Sequence, residues 1–245
     1  MASRKRRSSA PRTTFKAWLG WMACAALALQ GVFLLRVASL AVLDPTSTAF
    51  ERSAWWQHAQ QVNPPVWRQT WVPDEAIGSR IKRAVVAAED SGFFDHGGIE
   101  WDAIHNAWLR NWRGPTQSGQ PRLVGGSTIT QQLAKNLFLS GERHYGRKGQ
   151  ELLITWMLEA VLSKPRILTL YLNHVELGSG VYGVQSASQR YFGRDARALS
   201  SRQAAQLAVM LPRPRYFEAR MNTRYMARRA AVIQRRMSMI ALPTP

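Results

Sequence analysis

The sequence predicts a mainly α-helical protein that carries one membrane-spanning helix near its N-terminus. An apolar run from Ala17 to Leu35 meets the roughly 20 residues that a spanning helix needs. Beyond residue 74, apolar residues recur mostly at helical spacing, and only the segment 66–72 alternates weakly, as a short strand does. At 245 residues with 46% apolar content, the chain is long enough for one anchor and one globular domain.

The net charge of +18 is concentrated at the two ends of the chain. Residues 1–16 carry six cations and no acid, and residues 212–245 carry eight arginines against one acid, Glu218. Such segments either remain solvated or meet anionic lipid headgroups or nucleic acid. The single cysteine, Cys24, lies inside the apolar run, which excludes a disulfide framework, a thiolate metal cluster and thiol redox chemistry.

The N-terminal segment has the pattern of a signal anchor. Its cations precede the apolar run, which places the N-terminus in the cytoplasm and the remainder of the chain outside it. We expect a basic cytoplasmic tail over 1–16, a transmembrane signal anchor over 17–43, a stalk over 44–73 and a globular domain over 74–245. A cleavable signal peptide is the alternative, although its apolar core usually spans only about 7 to 15 residues.

Capping residues predict where the helices of the domain begin. Asp74 is expected to cap a first helix that ends with two carboxylates, Glu89 and Asp90, at the negative end of the helix dipole. Trp101 opens the apolar face of the next helix, and residues 113–124 have the composition of a mobile loop. Later helices are expected to start at the Ser163-Lys164-Pro165 turn, at Ser200 or Ser201, and at Asn222.

The stretch 125–151 departs most from ordinary helix-forming sequence. Two glycines interrupt the chain, and either Ser127 or Thr128 can cap the helix that follows. Thr128, Gln132 and Lys135 fall at i, i+4 and i+7, so a hydroxyl, an amide and an ammonium share one helix face that could hold an anion.

A further helix that starts near Arg147 brings Arg147 and Lys148 within side-chain reach of Glu151. The simpler interpretation of both helices is a capped helix followed by an ordinary i,i+4 ion pair, worth roughly 0.2 to 0.5 kcal/mol.

Four segments resemble, in order, the signature motifs of the peptidoglycan glycosyltransferases, glycosyltransferase family 51. They read E-D-S-G-F-F-D-H-G-G at 89–98, G-G-S-T-I-T-Q-Q-L-A-K-N at 125–136, R-K-G-Q-E at 147–151 and K-P-R-I-L-T-L-Y-L-N at 164–173. The resemblance runs from about Val72 to Leu211. Since no penicillin-binding domain follows the motifs, it is greatest to the monofunctional members of the family.

The resemblance implies a lysozyme-like helical glycosyltransferase domain that polymerises lipid II, a disaccharide-peptide on undecaprenyl pyrophosphate. The family joins sugar C1 of one chain to the 4-hydroxyl of the next with inversion, which gives a β-1,4 glycan. The implied location is the outer, periplasmic face of the cytoplasmic membrane, where lipid II and the growing lipid-linked glycan are reached. The implied partners are other cell wall synthesis proteins, including a separate transpeptidase, and no nucleic acid.

That reaction needs a base for the hydroxyl and cations for the departing pyrophosphate. Glu89 is the expected base, because a carboxylate near a helix C-terminus and two phenylalanines should have a raised pKa. Lys135, Arg147 and Lys148 are expected to stabilise the leaving group. Glu151 is expected to orient those cations, to bind a divalent cation such as Mg²⁺ or Mn²⁺, or to assist departure of the leaving group, and no organic cofactor is expected.

Six further positions match the family's motifs as substrate-binding or supporting residues: Asp90, Phe93, His96, Thr128, Gln132 and Asn173. Phe93 is expected to form a wall of the site, and His96 to support the turn by hydrogen bonds.

Two other classes of protein fit parts of the sequence. A lytic muramidase of lysozyme-like fold would also use a glutamate in a helical domain, but it has no need of cations matched to pyrophosphate. A non-enzymatic module that binds membranes or nucleic acid would explain the basic ends and the anchor, but not the central cluster of polar residues.

Overall fold

The computed structural model describes residues 15–60, 66–101, 127–139 and 145–243. Over these ranges the protein is mainly helical, as predicted, and a small sheet lies beside the helices. The α-helices of the described ranges are α1 (Phe15–Ser39), α2 (Ala49–Ala59), α3 (Ser79–Glu89), α4 (Ile129–Phe138), α5 (Tyr145–Val161), α6 (Lys164–His174), α7 (Val184–Phe192), α8 (Ser201–Met210), α9 (Pro214–Phe217) and α10 (Arg224–Met237).

The sheet has three short strands, β1 (Arg68–Gln69), β2 (Glu176–Gly178) and β3 (Val181–Tyr182), in the order β1-β3-β2. β3 pairs in parallel with β1 and antiparallel with β2. Gly183 ends this hairpin with a φ of 78°, and a Cβ there would lie 2.5 Å from the carbonyl oxygen of Asn173. The sheet therefore packs its turn directly against the end of α6, which only a glycine permits.

Two groups of helices form one hydrophobic core. α3, α8 and α10 pack together on one side, and α4 packs against α5 and α6 on the other. Fully buried aliphatic side chains such as Ile81, Leu133, Leu158 and Leu170 join the two groups in one cluster. Burying each such side chain favours the folded state by about 1.5 to 3 kcal/mol, so the core holds the ends of α3, α4 and α6 together.

Most of the predicted helix starts are confirmed by cap hydrogen bonds. Thr128, and not Ser127, caps α4 through a reciprocal capping box with Gln131, and Ser200 caps α8 in the same way with Gln203. Ser163 caps α6, which has Pro165 in its first turn. The last helix is capped one residue later than predicted, because Thr223 and not Asn222 accepts a hydrogen bond from the third amide of the helix.

The expectation that Asp74 caps the first helix of the domain was wrong. Residues 74–76 form a single 3₁₀ turn, and α3 begins at Ser79 after Gly78. The Asp74 carboxylate instead pairs with Lys82 at 2.7 Å and accepts a hydrogen bond from the distant Thr169 hydroxyl at 2.5 Å.

The predicted anchor forms one continuous helix, α1, that is long and apolar enough to cross a membrane. Its second half lies against the domain. The Gln30 side chain, the one strongly polar group of the run, exchanges hydrogen bonds of 2.9 and 3.0 Å with Gln150 of α5. Arg166 of α6 donates to the carbonyl oxygens of Leu40 and Leu43, so the domain also holds the end of the helix.

The interval 44–73, expected to be a stalk, contains α2 and β1, and both contact the domain. Glu51 of α2 is fully buried, and its carboxylate lies 2.9 Å from the Nδ1 atom of the buried His174. The backbone at Val72 forms two hydrogen bonds of 2.9 Å with the side chain of Asn173. Residues 1–14 of the tail predicted over 1–16, the helix predicted after Trp101 and the loop 113–124 lie outside the described residues.

Candidate active site

Glu89 is the last residue of α3, where the sequence predicted the helix to end. Burial raises its pKa, the hydrogen bond from Gln132 lowers it in part, the charge of Asp90 raises it further and the charge of Lys135 lowers it. Because burial is the largest of these effects, the carboxylate gains basicity from its position in the fold.

A chain of two hydrogen bonds holds this carboxylate. The Nε2 atom of Gln132 donates to Glu89 at 2.8 Å, and the hydroxyl of Tyr171 donates to the amide oxygen of Gln132 at 3.0 Å. Burial raises the pKa of Tyr171 well above its usual value, and the charges of Glu89 and Asp90 reinforce this. The phenol therefore remains protonated and orients the amide so that its NH₂ group faces Glu89.

The neighbouring carboxylate, Asp90, has a structural role. It is buried, and its two oxygens accept hydrogen bonds from the ring of His96 at 2.9 Å and from the backbone amide of Ile129 at 3.0 Å. His96 Nδ1 in turn accepts from the Gly98 amide at 3.0 Å, which assigns the proton to Nε2. Asp90 and His96 thus join the turn after α3 to the start of α4.

Thr128 and Phe93 also support the fold of the site. The Thr128 hydroxyl donates to the Gly98 carbonyl oxygen at 2.6 Å and accepts from the Gln131 amide at 3.2 Å, so it is committed to the helix cap rather than to the face shared by Gln132 and Lys135. Phe93 is completely buried, and the Lys164 ammonium lies 4.5 Å from its ring centre. Its predicted role as a wall of the site stays a prediction.

Asn173 lies inside the protein. Its side chain is fully buried and forms three hydrogen bonds with backbone groups, two to Val72 and one to the carbonyl oxygen of Thr169. The two bonds to Val72 join the end of α6 to the segment before α3, and the bond to Thr169 lies within α6. The side chain is thus placed to hold the two segments together, and its predicted contact with substrate stays a prediction.

Arg147, Lys148 and Glu151 form a second group, on the first two turns of α5. The Glu151 carboxylate is buried; one oxygen pairs with Lys148, and the other lies 3.9 Å from the Arg147 guanidinium. The side chain of Lys148 is half exposed. Since α5 packs against α4, which carries Lys135, all three predicted cations lie on adjoining helices.

The chemistry of this second group bears on the predicted divalent cation. Glu151 contributes one carboxylate that already faces two cations, so these residues by themselves do not fit a resident metal ion. In the described ranges, three potential metal ligands meet instead at Asp90, His96 and Glu100, with ligand atoms within 4.8 Å of one another. A divalent cation at Glu151 stays a prediction.

Comparison with known proteins assigns the chain to a family. The family model described as transglycosylase matches residues 57–238, about three quarters of the sequence. The chain belongs to the transglycosylase family.

Relatives agree with this assignment over nearly the whole of the transglycosylase chain. It is similar to the biosynthetic peptidoglycan transglycosylase of Burkholderia thailandensis, with 50% identity over 91% of this chain and 86% of the relative. The protein of the same name from Burkholderia pseudomallei is 49% identical over 92% of this chain and 88% of the relative. That from Bordetella avium is 45% identical over 93% and 98%.

The geometry of this transglycosylase adds residues that the sequence did not single out. Tyr171 lies within the fourth motif, but its bond to Gln132 joins residues 39 positions apart. A cleft of about 670 Å³ also opens beside Glu89, and α10, which the sequence showed only as a basic helix, forms one of its walls. Only contacts between distant parts of the chain reveal either feature.

Proposed function

We propose that this chain, a peptidoglycan glycosyltransferase of cell wall biosynthesis, polymerises lipid II into β-1,4-linked glycan strands and releases undecaprenyl pyrophosphate. The observation that carries the proposal is Glu89: a carboxylate with a raised pKa, held by Gln132 and Tyr171 beside the ammonium-bearing helix α4. A base with a pKa nearer to the working pH accepts a proton from a hydroxyl more readily.

In the proposed reaction, the Glu89 carboxylate takes the proton of the 4-hydroxyl of the acceptor sugar. The hydroxyl oxygen forms a bond to C1 of the donor sugar as the bond between C1 and the phosphate oxygen breaks. The bonding electrons leave with the pyrophosphate, and attack from the opposite face converts the α-linked donor into a β-linked product. Gln132 keeps the carboxylate in one orientation during this transfer.

Lys135, Arg147 and Lys148 stabilise the negative charge that grows on the departing pyrophosphate. Cations that are already in position supply this stabilisation without reorganisation when the bond breaks. Glu151 holds Arg147 and Lys148 in place by pairing with both, which agrees with an orienting role for this carboxylate.

The substrate's lipid requires that the domain remain at a membrane surface. α1 provides a helix of sufficient length, and Gln30 and Arg166 attach it to the domain. The cations before the apolar run favour a cytoplasmic N-terminus, with the domain on the periplasmic face of the cytoplasmic membrane. Other cell wall synthesis proteins, including a separate transpeptidase that crosslinks the strands, are the proposed partners.

The test is incubation of the purified full chain with labelled lipid II. Long glycan strands support the proposal, cleavage of preformed glycan indicates a muramidase, and an unchanged substrate indicates binding only. Running the reaction with and without a chelator decides whether a divalent cation takes part.

A further inference from the structure

One face of the apolar helix α1 packs against the domain. Gln30, Phe33, Val37 and Leu40 follow one another at intervals of three or four residues, so they share this face. Gln30 and Phe33 are partly buried, and Val37 and Leu40 are buried, whereas most of the helix before them is exposed. α1 lies along α5 in this packing. Gln30 is the one polar side chain of the face.

Gln30 and Gln150 of α5 form a closed pair of amides. The Nε2 atom of Gln30 donates to the Oε1 atom of Gln150 at 2.9 Å, and the Nε2 atom of Gln150 donates to the Oε1 atom of Gln30 at 3.0 Å. An amide on an apolar helix of this kind is costly unless a protein group bonds to it. Both bonds form together only at one register of the two helices. Apolar side chains would hold the helices together without fixing that register, so the pair suits a contact whose position matters.

Gln150 belongs to the part of α5 that carries two of the proposed leaving-group cations. Arg147 lies one helical turn before it and Lys148 two residues before it. The next residue, Glu151, pairs with both cations. Because backbone hydrogen bonds make a helical turn move as a unit, the position of Gln150 sets the position of Arg147 and Lys148.

The following turn of α1 contacts the end of α4, which carries the third proposed cation, Lys135. Phe138, the last residue of α4, meets Phe33 edge to face with 5.9 Å between the ring centres. The guanidinium of Arg36 lies 5.0 Å from the centre of the same Phe138 ring. Lys135 is one turn before Phe138. α1 therefore contacts both helix ends that bear the cations, the last turn of α4 and the first two turns of α5.

We infer that Gln30 is a positioning residue of the proposed reaction: its bonds to Gln150 keep Arg147 and Lys148 where the departing pyrophosphate needs them. This inference rests on the proposed function. Cations stabilise a leaving group best when they are already in place, and a misplacement of about 1 Å costs up to about 10²-fold in rate. The apolar helix thus has a role in the reaction besides the anchoring that we propose for it.

The test measures lipid II polymerisation by the full chain in detergent micelles, where tethering to a bilayer plays no part. Gln30→Leu removes the amide pair and keeps α1 apolar. Val32→Leu is the matched control, because it introduces the same side chain on the opposite face of α1, where Val32 is 53% exposed. Melting temperatures show whether each variant is folded, and Gln30→Asn, whose shorter amide cannot reach both bonds, replaces Gln30→Leu if that variant is not.

Gln30→Leu should lower kcat about tenfold with little change in KM, because the cations act on charge that grows in the transition state. Gln150→Leu should cause the same loss, since it breaks the same pair from the side of α5. Val32→Leu should keep both values. An unchanged kcat in Gln30→Leu, or an equal loss in Val32→Leu, overturns the inference.

Two further variants of the chain separate positioning from general damage to the fold. In an Arg147→Ala chain, the loss caused by Gln30→Leu should shrink to about threefold or less, because a group that Gln30 positions is already absent. In a Gln132→Ala chain, which is slowed at the base instead, the loss should remain about tenfold. Equal losses in these two chains would mean that the amide pair only stabilises the fold, and the inference would be wrong. If the unaltered chain makes no glycan in this assay, the proposed function itself fails.

Discussion

At the scale of single residues, Glu89 differs from its neighbour Asp90 through its partners. Asp90 accepts hydrogen bonds on both oxygens from groups that join α3 to α4. Glu89 has one side-chain amide as its hydrogen-bond donor, and its pKa is raised mainly by burial. The sequence predicted that rise from the helix end and two phenylalanines, but Phe93 is turned into the core, and burial among the packed helices is the main cause.

Replacement of Glu89 by glutamine should nearly abolish polymerisation while lipid II still binds. The amide keeps the shape and can still accept the hydrogen bond from Gln132, but it cannot take a proton. Labelled lipid II gives both readouts, glycan formation and binding. Glu151→Gln should also polymerise more slowly, but its rate should keep the acidic limb of the pH profile. Substantial turnover by Glu89→Gln would mean that another residue is the base.

The pKa direction of Glu89 also predicts a pH dependence of stability. Because the folded state raises the pKa above its ordinary value of 4.5, the protonated form is favoured by folding. The contribution of Glu89 to stability is therefore present below pH 4.5 and is lost as the pH rises through the raised pKa. We expect Glu89→Gln to melt at an equal or higher temperature than the unaltered chain at pH 7, with the difference vanishing in acid. A clear destabilisation at pH 7 would contradict the burial argument.

Removal of a cation should affect the use of the donor more than the fold. Lys135→Ala and Arg147→Ala are each expected to lower the polymerisation rate about 10²-fold, the usual effect of removing one electrostatic group from a transition state. Arg202→Ala, which removes an exposed cation of α8, serves as the control with an unchanged rate. A normal rate in either test variant would mean that the residue replaced there does not act on the leaving group.

At the scale of helices, the start of α4 positions the site. The Thr128 cap, the carboxylate of Asp90 and the carbonyl of Gly98 all meet there, and the next two turns carry Gln132 and Lys135. A displacement of this helix start would move both side chains relative to Glu89. The position of α4 therefore decides whether the base and the first cation lie together.

Thr128→Val should lower both stability and polymerisation. The substitution removes the cap and leaves the buried Gly98 carbonyl without its donor, which costs roughly 1 to 3 kcal/mol in unfolding free energy. Thr223→Val is the matched control, because it removes an exposed cap on α10 and should cost about 1 kcal/mol. Urea unfolding and lipid II polymerisation test the pair, and equal effects would mean that the Gly98 bond contributes nothing.

At the scale of the whole molecule, the apolar helix α1 is part of the folded structure. Gln30 bonds to Gln150 beside the Glu151 group, and the Phe33 and Phe138 rings meet edge to face at 5.9 Å. The helix that would enter the membrane therefore contacts the same end of α5 that carries two of the proposed pyrophosphate cations. If α1 spans the membrane as we propose, this arrangement brings those cations near the surface at which the pyrophosphate of the proposed substrate would lie.

The proposed topology predicts that protease added to spheroplasts will digest the domain. The cations before the apolar run predict a cytoplasmic N-terminus, so the domain should lie on the side that the protease reaches. An immunoblot against the domain gives the readout, and an intact cytoplasmic protein shows that the membrane was closed. Full protection of the domain would show that the chain has the opposite orientation.

Much of this protein was predictable because the relevant signals are local. Cap residues and helical spacing predicted the starts of α4, α6 and α8, since each depends on a few neighbouring residues. The apolar length predicted α1, and the motifs predicted the family. Asp74 was misassigned because its carboxylate pairs with Lys82 and Thr169, and the second of these is 95 positions away.

The sequence by itself determined the class of fold, the long apolar helix and the side chains that we propose as reactive, because helical period and motif spacing are properties of neighbouring residues. The tertiary structure alone decided that Tyr171 orients Gln132 and that burial makes Glu89 more basic. It also decided that Arg229 and Arg236 line a cleft beside that carboxylate. Desolvation and cavity shape depend on which distant segments pack together, and no local pattern of residues records that.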